Sequence, residues 1–99
     1  MTWPAVRALA KTFVGVEDGT SYGTPAMKVG KKLLARLKED GETIVVRVDM
    51  DARDVLLELD PKAFFLTDHY RGYPAMLVRL AQVRPSLLAG IFEQACAAS

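Results

Sequence analysis

The sequence predicts an α+β domain built as a two-layer sandwich, with helices packed on one face of an antiparallel sheet. Ile44, Val46 and Val48 alternate with Thr43, Val45 and Arg47, the period-two pattern of a strand with one face in a core. Gly30-Lys31 and Asp40-Gly41 separate extended runs by links so short that the neighbouring strands must be antiparallel. Apolar residues at helical spacing bracket these runs: Val6, Leu9, Ala10 and Phe13 near the start, and Leu87, Leu88, Ile91, Phe92 and Ala95 near the end. The 99 residues are 51% hydrophobic and 25% charged, which suits one globular domain over 1–99.

A first helix is expected from Trp3 to Phe13, with Thr2 as N-cap, Pro4 in the first turn and Gly15 as the stop. The stretch Asp18-Gly19-Thr20-Ser21-Tyr22-Gly23-Thr24-Pro25 reads as a loop, because glycine and proline end regular structure. Strands follow over Ala26–Val29, Lys32–Lys38 and Glu42–Asp49. Asp51 is the expected N-cap of a second helix, with Val55, Leu56 and Leu59 on its buried side and Pro61 closing it. Phe64–Thr67 and Met76–Leu80 are two more strands around the loop 68–74, and a last helix begins near Pro85 or Ser86. The expected order is α-β-β-β-α-β-β-α.

Alternation assigns the faces. Met27, Val29, Leu33, Ala35, Leu37, Ile44, Val46, Val48, Met76, Val78 and Leu80 point to the helices. Lys28, Lys32, Arg36, Lys38, Arg47 and Arg79 then share an open face, with Leu34, Val45 and Leu77 among them. Open faces of antiparallel sheets are ordinarily polar, so a solvated lysine and arginine surface is one reading. The sign bias favours the other, an anion-binding face. Residues 19–38 carry five cations and no acid, whereas 39–68 carry nine acids and three bases, an asymmetry that the net charge of +1 conceals.

Motifs for catalysis or metal binding are weak. Gly23 to Lys31 has the wrong spacing for a phosphate loop. Asp49-Met50-Asp51 with Asp54 lacks the ligand count and glycine of a calcium loop and reads as a strand end followed by a helix cap. The lone Cys96 forms no internal disulfide and reads as an inert thiol. His69 stands beside Asp68, Tyr70 and Arg71 in a loop, but nothing local marks Ser21 or Cys96 as its nucleophile. The sequence therefore implies neither an enzyme nor a cofactor nor a metal. Tyr22, Tyr70 and Tyr73, all in glycine- and proline-containing loops, are candidates for a recognition surface. Arg7 and Lys11 interrupt the apolar N-terminal stretch, and no apolar run would span a bilayer, so neither a secretory signal nor a membrane partner is expected and the expected location is cytoplasmic.

Two longer motifs carry a resemblance. Gly15-Val16-Glu17, followed by the run from Tyr22-Gly23-Thr24-Pro25-Ala26-Met27 through Lys28-Val29-Gly30-Lys31-Lys32-Leu33, resembles the opening of the MmcQ/YjbR family. His69-Tyr70-Arg71-Gly72-Tyr73-Pro74-Ala75-Met76-Leu77-Val78-Arg79-Leu80 resembles its second half, so that the likeness covers nearly the whole chain. One branch of that family carries a histidine-methionine-asparagine-lysine run ending in tryptophan, and this chain departs from it. The resemblance implies a fold similar to frataxin-like and secretion-chaperone-like sandwiches, and the family's customary label, DNA-binding. Frataxin-type iron binding is disfavoured, because the first helix carries Arg7 and Lys11 instead of an acidic ridge.

The expectation is a non-enzymatic DNA-binding domain. Lys28, Lys32, Arg36, Arg47 and Arg79 would meet phosphates, and His69, Tyr70, Arg71 and Tyr73 would form a recognition loop. The alternatives are a protein partner on the open sheet and a small-molecule site around His69, Tyr70 and Tyr73.

Overall fold

The computed structural model describes residues 1–98. Helix α1 (Trp3–Ala10) leads into four strands, β1 (Val16–Ser21), β2 (Thr24–Val29), β3 (Lys32–Leu37) and β4 (Thr43–Arg47). Helix α2 (Met50–Leu59), the short strand β5 (Phe64–Phe65), a 3-10 turn (Asp68–Tyr70), strand β6 (Ala75–Arg79) and helix α3 (Pro85–Ala97) complete it. All pairings are antiparallel, and the strand order is β1-β2-β3-β4-β6-β5. The two-layer α+β class expected from the sequence holds. Val6 and Ala10 of α1 and Leu88, Ile91, Phe92 and Ala95 of α3 share one core with Met27, Ala35, Ile44, Val46, Met76 and Val78 of the sheet. Among the described residues no helix is long and apolar enough to cross a membrane.

The element order differs from expectation by one strand. The stretch read as a loop forms β1 and the start of β2, so the order is α-β-β-β-β-α-β-β-α. Glu17, Asp18, Gly19 and Thr20 carry no apolar alternation because β1 lies at the sheet edge, where of its six residues only Val16 is buried. The turn itself is Tyr22-Gly23, and both residues have positive φ, 54° and 79°. Positive φ at both central positions matches the right-handed twist of the flanking strands.

Other boundaries shift by a few residues. Helix α1 ends at Ala10 instead of Phe13, whose N–H bonds the Ala10 carbonyl as the chain turns towards Gly15 at φ 86°. Strand β4 ends at Arg47, and the N-cap of α2 is Asp49, not Asp51: its carboxylate accepts the Ala52 N–H at 3.0 Å. Strand β5 keeps only Phe64 and Phe65 of the expected run to Thr67.

One correction moves side chains between faces. Between β2 and β3 the register runs Met27 to Ala35 and then Lys28 to Leu33, which leaves Leu34 as an extra residue on β3. Such a bulge turns two consecutive side chains to one side. Leu34 and Ala35 are both fully buried in the core, and Leu33, expected inward, lies on the outer face.

The edge strand is tied to α1 by charge. Asp18 accepts from Arg7 Nε at 2.6 Å and from Lys11 Nζ at 2.8 Å. Hydrogen bonds from Arg7 and Lys11 hold its carboxyl well below the usual carboxylate range. Because the folded value is depressed, this contribution to stability is complete above the unfolded-chain value of about 3.9 and is lost as the pH falls towards the folded one. Asp18→Asn should therefore lower the urea midpoint at neutral pH, and the gap to the parent protein should close steadily below about pH 5. A gap independent of pH would mean that the charge of Asp18 is not what stabilises the fold.

Candidate binding cleft on the outer sheet face

The registers line up one row of outward residues across all six strands: Gly19, Ala26, Arg36, Val45, Leu77 and Phe65. The sequence predicts this face as open and basic. Instead Ala26, Arg36, Val45 and Leu77 are all buried, with Arg36 only 6% exposed. A flat polar sheet face would leave them wet.

Two loops wall off the middle of this face. Tyr22, on the β1–β2 turn, stands above β3, and His69, Tyr70, Tyr73 and Pro74 of the β5–β6 loop rise on the opposite side. Between them lies a cleft of about 710 Å³, floored by Leu33 and Arg36 of β3, Val45, Val46 and Arg47 of β4, and Ala75 of β6, with Lys32 at its rim. The volume falls in the usual range for small-molecule sites. His69 meets Tyr70 edge-on at 4.8 Å between ring centroids and Tyr73 at 5.9 Å in a tilted pair, so three rings of the loop form one aromatic wall.

The wall is held from the helix side. Arg53, on α2, is buried, and its Nη1 donates to the carbonyls of Tyr70, Arg71 and Tyr73 at 3.3, 3.1 and 2.9 Å. One guanidinium thus gathers three carbonyls of the loop, two of which, Tyr70 and Tyr73, also accept the backbone N–H groups of Tyr73 and Ala75. Arg71 turns outward and pairs with Asp68 across the 3-10 turn at 2.8 Å.

Arg36 is the charged group on the cleft floor. Its Nη1 donates to Thr24 Oγ1 at 3.0 Å, to Glu39 Oε1 at 3.0 Å and to the Leu37 carbonyl at 3.3 Å, and its guanidinium carbon lies 5.0 Å from the centre of the Tyr22 ring. Burial works against its charge, but Glu39 and the Tyr70 hydroxyl more than offset this, and its pKa is raised. Its Nε has no hydrogen-bond partner among the described residues, and neither does the buried Nη1 of Arg47.

The expected site residues divide accordingly. Lys32, Arg36, Arg47, His69, Tyr70 and Tyr73 line the cleft. Lys28, Arg71 and Arg79 do not. The Lys28 stem runs along β1 beside Gly19, where a Cβ would meet it at 3.4 Å. Arg79 stacks on Phe65 at 4.0 Å from the ring centre and donates to the Lys62 carbonyl at 3.0 Å. Arg53 escaped the sequence reading, although its position offered a signal: it precedes Leu56 and Leu57 by one turn, in line with the helix's core-facing side. Cys96 is partly buried on α3, and burial raises its thiol pKa against the opposing charge of Arg47, in keeping with an inert thiol. Among the described residues no group of three or more metal-ligating side chains occurs.

No model of a known protein family matches the chain. Uncharacterised proteins of Mycobacterium tuberculosis and Mycobacterium bovis are 34% identical to it over 67 residues, 64% of this chain and 52% of theirs. The chain thus spans about half the length of the curated relatives it matches. Among solved structures, a Deinococcus radiodurans protein described as a DUF419 domain superposes with a TM-score of 0.75 at 18% identity, over 94% of this chain and 74% of that one. The fold is shared with that domain. The sheet and helices that frame the cleft therefore belong to an architecture found beyond this chain.

Proposed function

We propose that this domain is a binding module and that its ligand is a small organic molecule with a flat ring, held in the tyrosine-walled cleft. The observation that carries this reading is the wall itself: three loop rings and Tyr22 flank a floor of Leu33, Val45, Val46 and Ala75 with Arg36 and Arg47 among them, and a buried arginine on another element holds the loop's backbone. Aromatic rings beside apolar side chains favour a planar ligand, and a loop backbone already held in place lowers the entropic cost of binding it. Binding is favoured over catalysis because none of the lining side chains is a serine, threonine, cysteine or carboxylate, which leaves His69 without an adjacent nucleophile.

The test is amide NMR on the labelled domain with indole, benzamide, benzoate and adenosine. Shifts concentrated at Leu33, Val45 and residues 69–75 are expected with at least one of them. Perturbations spread evenly over the surface, or none at millimolar ligand, would sink the reading.

DNA binding is the second reading. It is favoured by the acid-free run 19–38, which brings the exposed Lys31 and Lys32 and the half-exposed Lys28 to the β2–β3 hairpin. The structural neighbour's DUF419 fold is related to the MmcQ/YjbR family that the sequence resembles, and the DNA-binding label comes from that resemblance alone. Against it, Arg36 is 6% exposed at the cleft floor, out of reach of a polymer's phosphates, and Arg79 is tied to the Lys62 carbonyl and the Phe65 ring. Duplex and single-stranded oligonucleotides titrated at low and high salt decide it. Real binding weakens steeply with salt, and Lys28→Glu with Lys32→Glu removes it. Binding that ignores both salt and these substitutions is not phosphate recognition.

A further inference from the structure

We infer that the ligand of the cleft carries an oxyanion, a carboxylate or a phosphate, and that the Arg36 guanidinium meets it. The inference rests on the small-molecule reading above and adds the chemical class. Arg36 is more than nine-tenths buried, its Nη1 is anchored by Thr24, Glu39 and the Leu37 carbonyl, the Tyr70 hydroxyl stands by its guanidinium, and its buried Nε has no hydrogen-bond partner among the described residues. A buried charged donor is rarely left without a partner, because its lost hydration is not replaced. The anchoring bonds hold Arg36 in place at the cleft floor with its guanidinium only partly used, an arrangement that suits recognition of an anion as well as packing.

The surrounding charge agrees. Lys32, Arg36 and Arg47 line the cleft and no carboxylate does. The nearest acid is Glu39, whose side chain is 62% exposed, so water screens it and Arg36 retains much of its field. Arg47 Nη1 is a second buried donor without a partner among the described residues, on the same strand as the Val45 floor. A ring against His69, Tyr70 and Tyr73 with its anionic end towards β3 uses both halves of the cleft.

Matched probes test this by calorimetry: benzamide as the neutral ring, benzoate as the carboxylate, phenyl phosphate as the phosphate ester, and inorganic phosphate without a ring. The expected result is that benzoate or phenyl phosphate binds about tenfold or more tightly than benzamide. Whichever of the two is tighter identifies the oxyanion. Arg36→Lys keeps a positive charge but removes the guanidinium fork, so it should abolish the preference, read as the ratio of anion to benzamide affinity. Arg47→Gln, at a half-exposed position, should reduce the preference even if Arg36→Lys proves unstable. Equal affinity for benzamide and both anions overturns the oxyanion while leaving the cleft reading intact. Failure of all four probes overturns both.

Discussion

Leu34→Ala is expected to destabilise the domain by about 2–5 kcal/mol, whereas Leu33→Ala costs about 1 kcal/mol or less. The two leucines are adjacent and chemically identical, so the difference isolates the bulge between β2 and β3. Leu34 is fully buried among the core residues, and truncating it leaves a cavity in a close-packed interior. Leu33 is half-buried on the outer face at the floor of the cleft, where the truncated space fills with water. Urea denaturation of both variants is sufficient, read as a shift in midpoint at unchanged slope. An unbulged β3 would give the reverse order, so a larger loss at Leu33 than at Leu34 would falsify the register. Leu33→Ala carries a second consequence: it widens the cleft floor, so it should weaken ring binding with little effect on folding.

Arg53→Met should cost about 2–4 kcal/mol and release the aromatic wall. Methionine keeps much of the aliphatic stem but has no donor for the carbonyls of Tyr70, Arg71 and Tyr73. The Tyr70 and Tyr73 carbonyls keep the backbone donors of Tyr73 and Ala75, so the cost is that of the lost charge-assisted bonds, about 1.5–3 kcal/mol, and water reaching the exposed loop recovers some of it. Hydrogen exchange separates two consequences of the change. Global loss appears at the core strands. Release of the loop appears at the Tyr70 and Tyr73 amides, which bond to Thr67 and Tyr70 carbonyls and should exchange faster than the global change accounts for. Asp54→Asn is the control: Asp54 touches Arg53 Nε at 3.4 Å from a largely exposed position, and its loss should be near zero. If Arg53→Met leaves loop exchange tracking the global change, Arg53 supports the core and not the cleft.

The resemblance seen in the sequence and the shared DUF419 fold agree on architecture, and both leave the chemistry to the cleft. The basic residues read as one phosphate-binding face prove to have three separate fates. Arg36 and Arg47 enter the cleft, Arg79 fastens the β5–β6 edge, and Lys28 lies along the edge strand. Alternation identified which way most of them point, but direction along a strand does not say what stands above it.

By itself the sequence determined what depends on neighbours in the chain. The alternation of Ile44, Val46 and Val48 marks β4, the short Gly30-Lys31 link makes β2 and β3 antiparallel, and the spaced apolar residues of α1 and α3 mark the helices over the core. These signals are local because backbone period and turn geometry are local. Only the tertiary structure decided the rest. The edge strand β1 has almost no apolar pattern and exists through its pairing with β2. The bulge at Leu34 is a mismatch between two strands and is invisible in either one alone. The cleft exists because Tyr22, Arg36, Val45 and Tyr70, distant along the chain, meet on one face, and because Arg53 holds carbonyls of a loop more than a helix away. The outer face that the sequence presented as open and basic carries, once folded, an open cleft flanked by tyrosines with a buried guanidinium at its floor. The physical reason is that burial and hydrogen-bond partners are set by contacts between remote segments, and no periodicity within a segment encodes them.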